Sequence, residues 1–116
     1  IKYRYRTIFG WGSIETVSNT MQQSRNPQIV YCDSLMCVYT EESQMQPDHR
    51  SNIVYRVRKG LNNWSSSRTI ESGTVLYEHP QSCTIKQDSE RRGLHTIWTK
   101  GNGVPYEVKY KVTNLP

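Results

Sequence analysis

Seven cations fall on alternate positions of three short segments: Lys2, Arg4 and Arg6, then Arg56 and Arg58, then Lys109 and Lys111. Side chains at period two share one face of a strand, so these cations are expected to form stripes, and they contribute much of the net charge of +5. Two chemistries follow from such a stripe. One is attraction to an acidic glycan or another polyanion; the other, which asks less of the residues, is long cationic stems laid over apolar surface at a rim. Nucleic acid is not expected as a partner, because neither a recognition helix nor an RNA-binding motif accompanies the charge.

The other reactive residue types lack the spacing that chemistry requires. His49, His79 and His95 have neither mutual spacing nor neighbouring cysteines suited to zinc, so no metal and no cofactor is expected. Nucleophile elbow, phosphate loop and cysteine–histidine signatures are all missing from the sequence. Glycoside hydrolysis needs two carboxyl groups poised across one bond, and no pair among the ten acidic residues is placed there by sequence position. The three cysteines are too few and odd in number for a disulfide framework. Cys32 and Cys37 flank Asp33-Ser34-Leu35-Met36, which reads as a tight hairpin, leaving two readings open: a bridge across two strands, or buried thiols. Asn63-Trp64-Ser65 matches the N-glycosylation pattern and gives slight support for secretion.

The elements that must hold these residues are strands. Alanine is absent, only five leucines occur, and Val, Ile, Thr, Tyr and Trp recur throughout, so local propensity favours extended backbone and essentially no helix. A chain of 116 residues has the length of one modest domain, and no run of about 18 apolar residues offers a membrane span. It opens on Ile1, which leaves a processed mature protein and an excerpt of a longer one as the two expectations.

Laid on itself, the chain repeats. Ile1-Lys2-Tyr3-Arg4-Tyr5-Arg6, Ile53-Val54-Tyr55-Arg56-Val57-Arg58 and Val108-Lys109-Tyr110-Lys111-Val112-Thr113 share one alternating pattern, starting 52 and then 55 residues apart. Trp11-Gly12-Ser13 and Trp64-Ser65-Ser66 are offset by 53, as are Asn26-Pro27-Gln28 and His79-Pro80-Gln81. Cys37-Val38-Tyr39-Thr40-Glu41 and Thr96-Ile97-Trp98-Thr99-Lys100 are offset by 59, the extra residues falling in a polar insertion around 87–92. The strands predicted within one unit are 28–33 and 81–86, then 35–41 and 94–100, then 52–58 and 106–113, then 64–71. Residues 2–7 and 11–17 supply an earlier third and fourth strand. Each first strand is expected to start after its proline, and 42–51 to form an exposed loop. Tyr39 and Trp98, equivalent on the second strand, are expected in the core.

Units of roughly 53 residues, in which an Ile-x-Tyr-Arg strand turns into Trp-Ser and later into x-Pro-Gln, resemble the BNR, or sialidase-type, β-propeller repeats. Gly93-Leu94-His95-Thr96-Ile97-Trp98-Thr99-Lys100 followed by Val108-Lys109-Tyr110 has the same look, so the likeness spans nearly the whole chain. It departs at the Asp-box, Ser-x-Asp-x-Gly-x-Thr-Trp: the turns here read Thr7-Ile8-Phe9-Gly10-Trp11 and Arg58-Lys59-Gly60-Leu61-Asn62-Asn63-Trp64, keeping the tryptophan and losing the aspartate. Glycine or asparagine still supplies the positive φ that such turns need.

The resemblance implies an all-β fold of four-stranded antiparallel blades, incomplete in one chain. It gives a partial blade over 1–18, a blade over 26–71 and a blade over 79–113 lacking its last strand. Slightly more than two blades leave open edges, so further blades are expected from the same polypeptide or from a homo-oligomer. Because sialidase-type blades place ligands at the channel mouth, near the innermost strand, the resemblance also implies a glycan-binding set of Arg25, Asn26, Tyr77, Glu78 and His79, the alternative being turn polarity before a proline. Arginine clamps carboxylates and a tyrosine beside a glutamate suits sialoside chemistry, yet neighbours on a strand point to opposite faces, which separates Tyr77 from Glu78. The expected function is a noncatalytic carbohydrate-binding or structural interaction module, lectin-like, secreted or at the cell surface. The alternatives are a fragment of a sialidase-like glycoside hydrolase whose catalytic residues lie mostly outside the chain, and an architectural repeat of a surface filament.

Overall fold

The computed structural model describes residues 1–18, 23–42, 51–72, 77–86, 92–100 and 107–115, with Cys32, Tyr77–Lys86, Arg92 and Lys100 described by their backbone. Twelve strands and no helix occur among the described residues: β1 (Lys2–Tyr3), β2 (Arg6–Thr7), β3 (Gly10–Trp11), β4 (Glu15–Thr16), β5 (Gln23–Cys32), β6 (Ser34–Glu42), β7 (Ser51–Gly60), β8 (Asn63–Trp64), β9 (Arg68–Ser72), β10 (Tyr77–Lys86), β11 (Arg92–Lys100) and β12 (Glu107–Leu115). All pairings are antiparallel. A central sheet runs β5-β6-β7, with β8 and β9 both on the far side of β7. A second sheet runs β10-β11-β12, and β1 with β4 and β2 with β3 form an N-terminal hairpin.

The offsets read from the sequence carry one ladder onto another. Lys2 pairs with Thr16 and Arg6 with Trp11, as Val54 pairs with Thr69 and Arg58 with Trp64. In the same way Gln28↔Val38 and Val38↔Tyr55 reappear as Gln81↔Ile97 and Ile97↔Tyr110. Even the irregularity is shared: one bulge lies between Arg25 and Gln28, the other between Glu78 and Gln81. The fourth strand is interrupted alike in both copies. The Gly12 N–H donates to the Tyr5 carbonyl (2.9 Å) and the Ser65 N–H to the Val57 carbonyl (2.8 Å), where the chain steps out of the ladder.

Alternation then builds three layers, since facing residues of paired strands lie on the same side. One face of the central sheet presents Cys37, Tyr39 and Val54, which bury Val17 and pack on Ile1, Tyr3 and Trp64. The opposite face presents Met36, Val38, Ile53 and Tyr55, which meet Leu94 and Trp98 of the second sheet. Tyr39 and Trp98 are both buried, one in each seam, as expected of core residues.

Several boundaries differ from the sequence reading. β5 and β10 do not start after their prolines but run back through them to Gln23 and Tyr77. A bulge makes this feasible, because Asn26 adopts φ 54° and takes Pro27, which has no N–H to give, out of the ladder. Strands 2–7, 11–17 and 64–71 are each broken in two by the step-out just described. The expected four-residue hairpin at 33–36 is a turn on Asp33 alone, at φ 60°, with Cys32 opposite Ser34. Cys37 therefore faces Ile29 rather than Cys32, and its thiol is free, so the disulfide reading is set aside.

Candidate functional site

The most developed polar arrangement lies in the seam between the hairpin and the central sheet. Its centre is Glu15, at 0% exposure on β4. Arg58 of β7 donates to its carboxylate from Nε (3.0 and 3.2 Å) and from Nη2 (2.7 Å), and Trp64 donates from Nε1 at 3.0 Å. The Asn62 backbone N–H also donates to it. The Arg58 guanidinium lies 5.7 Å from the Tyr3 ring centroid and 5.6 Å from that of Tyr5, and Tyr3 meets Trp64 edge-on at 5.6 Å. Hydrogen bonding from Arg58 holds the Glu15 carboxyl below its ordinary pKa of 4.5, outweighing the opposing effect of burial. Glu15 is thus ionised with both oxygens engaged. The acid, the arginine and the two tyrosines bind one another and act as a clasp between layers.

Asn62 locks the same seam. It sits at φ 50° in the turn from β7 to β8, and its Oδ1 accepts the Thr16 N–H at 3.2 Å. Asn62→Ala is expected to cost about 1–2 kcal/mol through the lost acceptor and the left-handed backbone. Asn62→Gly should cost less, since only the acceptor is lost; urea unfolding of the two variants distinguishes the contributions.

The cationic stripes are present, and the one on the central sheet turns inward. Arg56 donates from Nε to the Tyr39 hydroxyl (2.8 Å) and from Nη1 to the Ser65 carbonyl (3.1 Å), and Lys111 donates to the Ile70 carbonyl at 2.7 Å. Lys109 pairs with Glu107 at 3.0 Å. Arg56 and Arg58 are half-buried and stitch strands and layers, whereas Lys2, Arg4 and Arg6 on the hairpin and Lys109 and Lys111 on β12 are exposed. Burial pushes the Cys37 thiol up to about 11, which makes it an inert packing group.

The five residues implied as a ligand set fall at the two bulges. Arg25 is exposed on β5, hydrogen-bonded to Gln23 and 3.4 Å from Glu42, and Asn26 is half-buried at the bulge. Tyr77, Glu78 and His79 lie on β10, with Tyr77 opposite Lys100 and Glu78 opposite Thr99, and their side chains are outside the described residues. Arg25 and Glu78 occupy the same rung of equivalent ladders. Sequence reasoning missed Glu15. Its signal was a charge reversal within the repeat, where Glu15 opposite Tyr3 answers to Arg68 opposite Tyr55.

Compared with known proteins, the chain matches no protein family, no curated protein and no solved structure.

Proposed function

We propose that the chain is a noncatalytic interaction module built of sialidase-type propeller blades, secreted or displayed at a cell surface, with an acidic glycan as ligand at its bulged strand edge. The observation that supports this most is the recurrence of one bulge at one rung of two successive sheets, on strands β5 and β10 that each end their sheet. A repeated distortion on outermost strands is a device for aiming side chains out of a ladder. Arg25 is suited to the ligand carboxylate: its side chain is 57% exposed, so a carboxylate can reach the guanidinium beside its 3.4 Å contact with the buried Glu42. Glu15, whose oxygens are already bound to Arg58 and Trp64, is not free to serve as a catalytic acid.

Titration of the chain with sialyllactose, followed by amide NMR, tests the reading. Shifts centred on 25–28 and 77–81 that vanish in Arg25→Ala are expected, with no release of free sialic acid. No shift at about 10 mM ligand, an affinity weaker than any useful lectin site, would remove the glycan. Sialoside cleavage by the chain would instead favour the glycoside hydrolase fragment.

A further inference from the structure

The two outer faces of the three-layer stack are complementary to each other. On the second sheet, Ile97, Val108, Tyr110 and Val112 share the face turned away from the core, and all are exposed, Val108 at 67% and Tyr110 at 62%. By register, Val108, Tyr110 and Val112 correspond to Ile53, Tyr55 and Val57 on the central sheet, and to Ile1, Tyr3 and Tyr5 on the hairpin. In both of those layers the corresponding face is covered by the layer that follows. His95 Nδ1 sits 2.6 Å from the Tyr110 hydroxyl, which fixes the ring while leaving its face open.

The hairpin's outer face holds the other half. Arg4, Arg6 and Trp11 correspond to Arg56, Arg58 and Trp64, of which Arg58 meets Tyr3 and Tyr5 and Trp64 meets Tyr3 inside the molecule. Arg4 already repeats the internal pattern, donating to the Gly12 carbonyl (2.8 Å) as Arg56 does to that of Ser65. The Arg4 and Arg6 guanidinium groups lie 5.4 and 5.7 Å from the Trp11 ring centroid, and Trp11 is 59% exposed. One outer face therefore offers the arginines and tryptophan of the internal seam, and the other offers its aliphatic and tyrosine residues.

We infer that a second copy of this chain docks head to tail, with Val108, Tyr110 and Val112 of one copy against Arg4, Arg6 and Trp11 of the next. The contact reuses the arginine–tyrosine and tryptophan–tyrosine geometry of the hairpin seam, without its carboxylate. Such an interface is heterologous, so each copy keeps one free end and assembly proceeds beyond a dimer unless a ring closes. This names the partner of the interaction module proposed above and needs its layered architecture, not its glycan; the sialyllactose titration and the test below fail independently.

Sedimentation equilibrium of the full chain up to about 100 µM is the test, a range that detects an ordinary weak interface. Multiples of the 13.6 kDa monomer are expected. Tyr110→Asp and Trp11→Asp, both at exposed positions, should each reduce the chain to monomer with unchanged circular dichroism. Mixed, the two variants should give a 1:1 dimer and nothing larger, since each retains the end that the other lacks. Val108→Asp provides a second tail variant should Tyr110→Asp misfold. A wild-type chain that stays monomeric, or variants that leave the mass distribution unchanged, would overturn the inference and assign these faces to another occupant.

Discussion

Glu15→Ala lowers the unfolding free energy by about 3 kcal/mol, the loss expected when one partner of a buried ion pair is removed and the other keeps its charge. Arg58 is left with a guanidinium three-quarters buried against Tyr3 and Tyr5, and Trp64 loses the acceptor for its Nε1–H. The deficit is moderated because the open quarter of Arg58 regains water. Urea unfolding at neutral pH measures it, and a double variant that also replaces Arg58 by Met recovers part of the loss, since no uncompensated cation remains. The pH dependence has a definite sign. With its folded pKa depressed, Glu15 binds fewer protons in the folded than in the unfolded chain, so its contribution is complete above 4.5 and declines as pH falls below that value. Glu15→Gln removes this part of the acid dependence, and its stability converges with the wild-type value as the pH drops.

Trp98→Ala produces a loss of about 3–5 kcal/mol, the range for truncating a large buried aromatic. Trp98 fills the seam between the central and second sheets, among Val38, Ile53, Tyr55, Ile70 and Leu94. Among the described residues the two layers share no backbone ladder, so this apolar seam and polar contacts such as Lys111 to the Ile70 carbonyl carry their association. Trp11→Ala, in contrast, changes the stability of the monomer by less than about 0.5 kcal/mol, because that ring lies on the surface. Thermal unfolding of the two tryptophan variants at low protein concentration compares them directly. Similar losses in both would mean that the hairpin's outer face is buried.

Much of the backbone was legible from alternation and self-similarity. The offsets of 52, 53, 55 and 59 residues already contain the equivalence of Val38↔Tyr55 with Ile97↔Tyr110, because insertions confined to loops leave the pairing of strands untouched. The buried pair Tyr39 and Trp98 was legible for the same reason. What could not be read was where the ladders break. Proline at 27 is compatible with a strand start and with a bulge, and only the positive φ of Asn26, imposed by the pairing on both sides, decides between them. A single-residue turn at Asp33 was hidden in the same way, since Leu35 and Met36 are as suitable for a turn's flank as for a strand.

The polar site was less legible than the fold. The stripe of Arg56 and Arg58 left two readings, a polyanion-facing surface or cationic stems over apolar surface at a rim, because period two says only which residues share a face, not what covers that face. Here the hairpin covers it, and Glu15, an unremarked acid between Ile14 and Thr16, becomes the counterion. Arg25 and Asn26 are found together at one bulge, and the backbone of Tyr77, Glu78 and His79 lies at the equivalent bulge of β10.

The claim on which the rest stands is that the central and second sheets carry the same ladder in the same register. Cross-strand nuclear Overhauser contacts between backbone protons test it most directly: Val38 should contact Tyr55, and Ile97 should contact Tyr110, each as directly facing pairs. A shift of Ile97 to face Lys109 or Lys111 would exchange the buried and exposed faces of β12 and contradict the account.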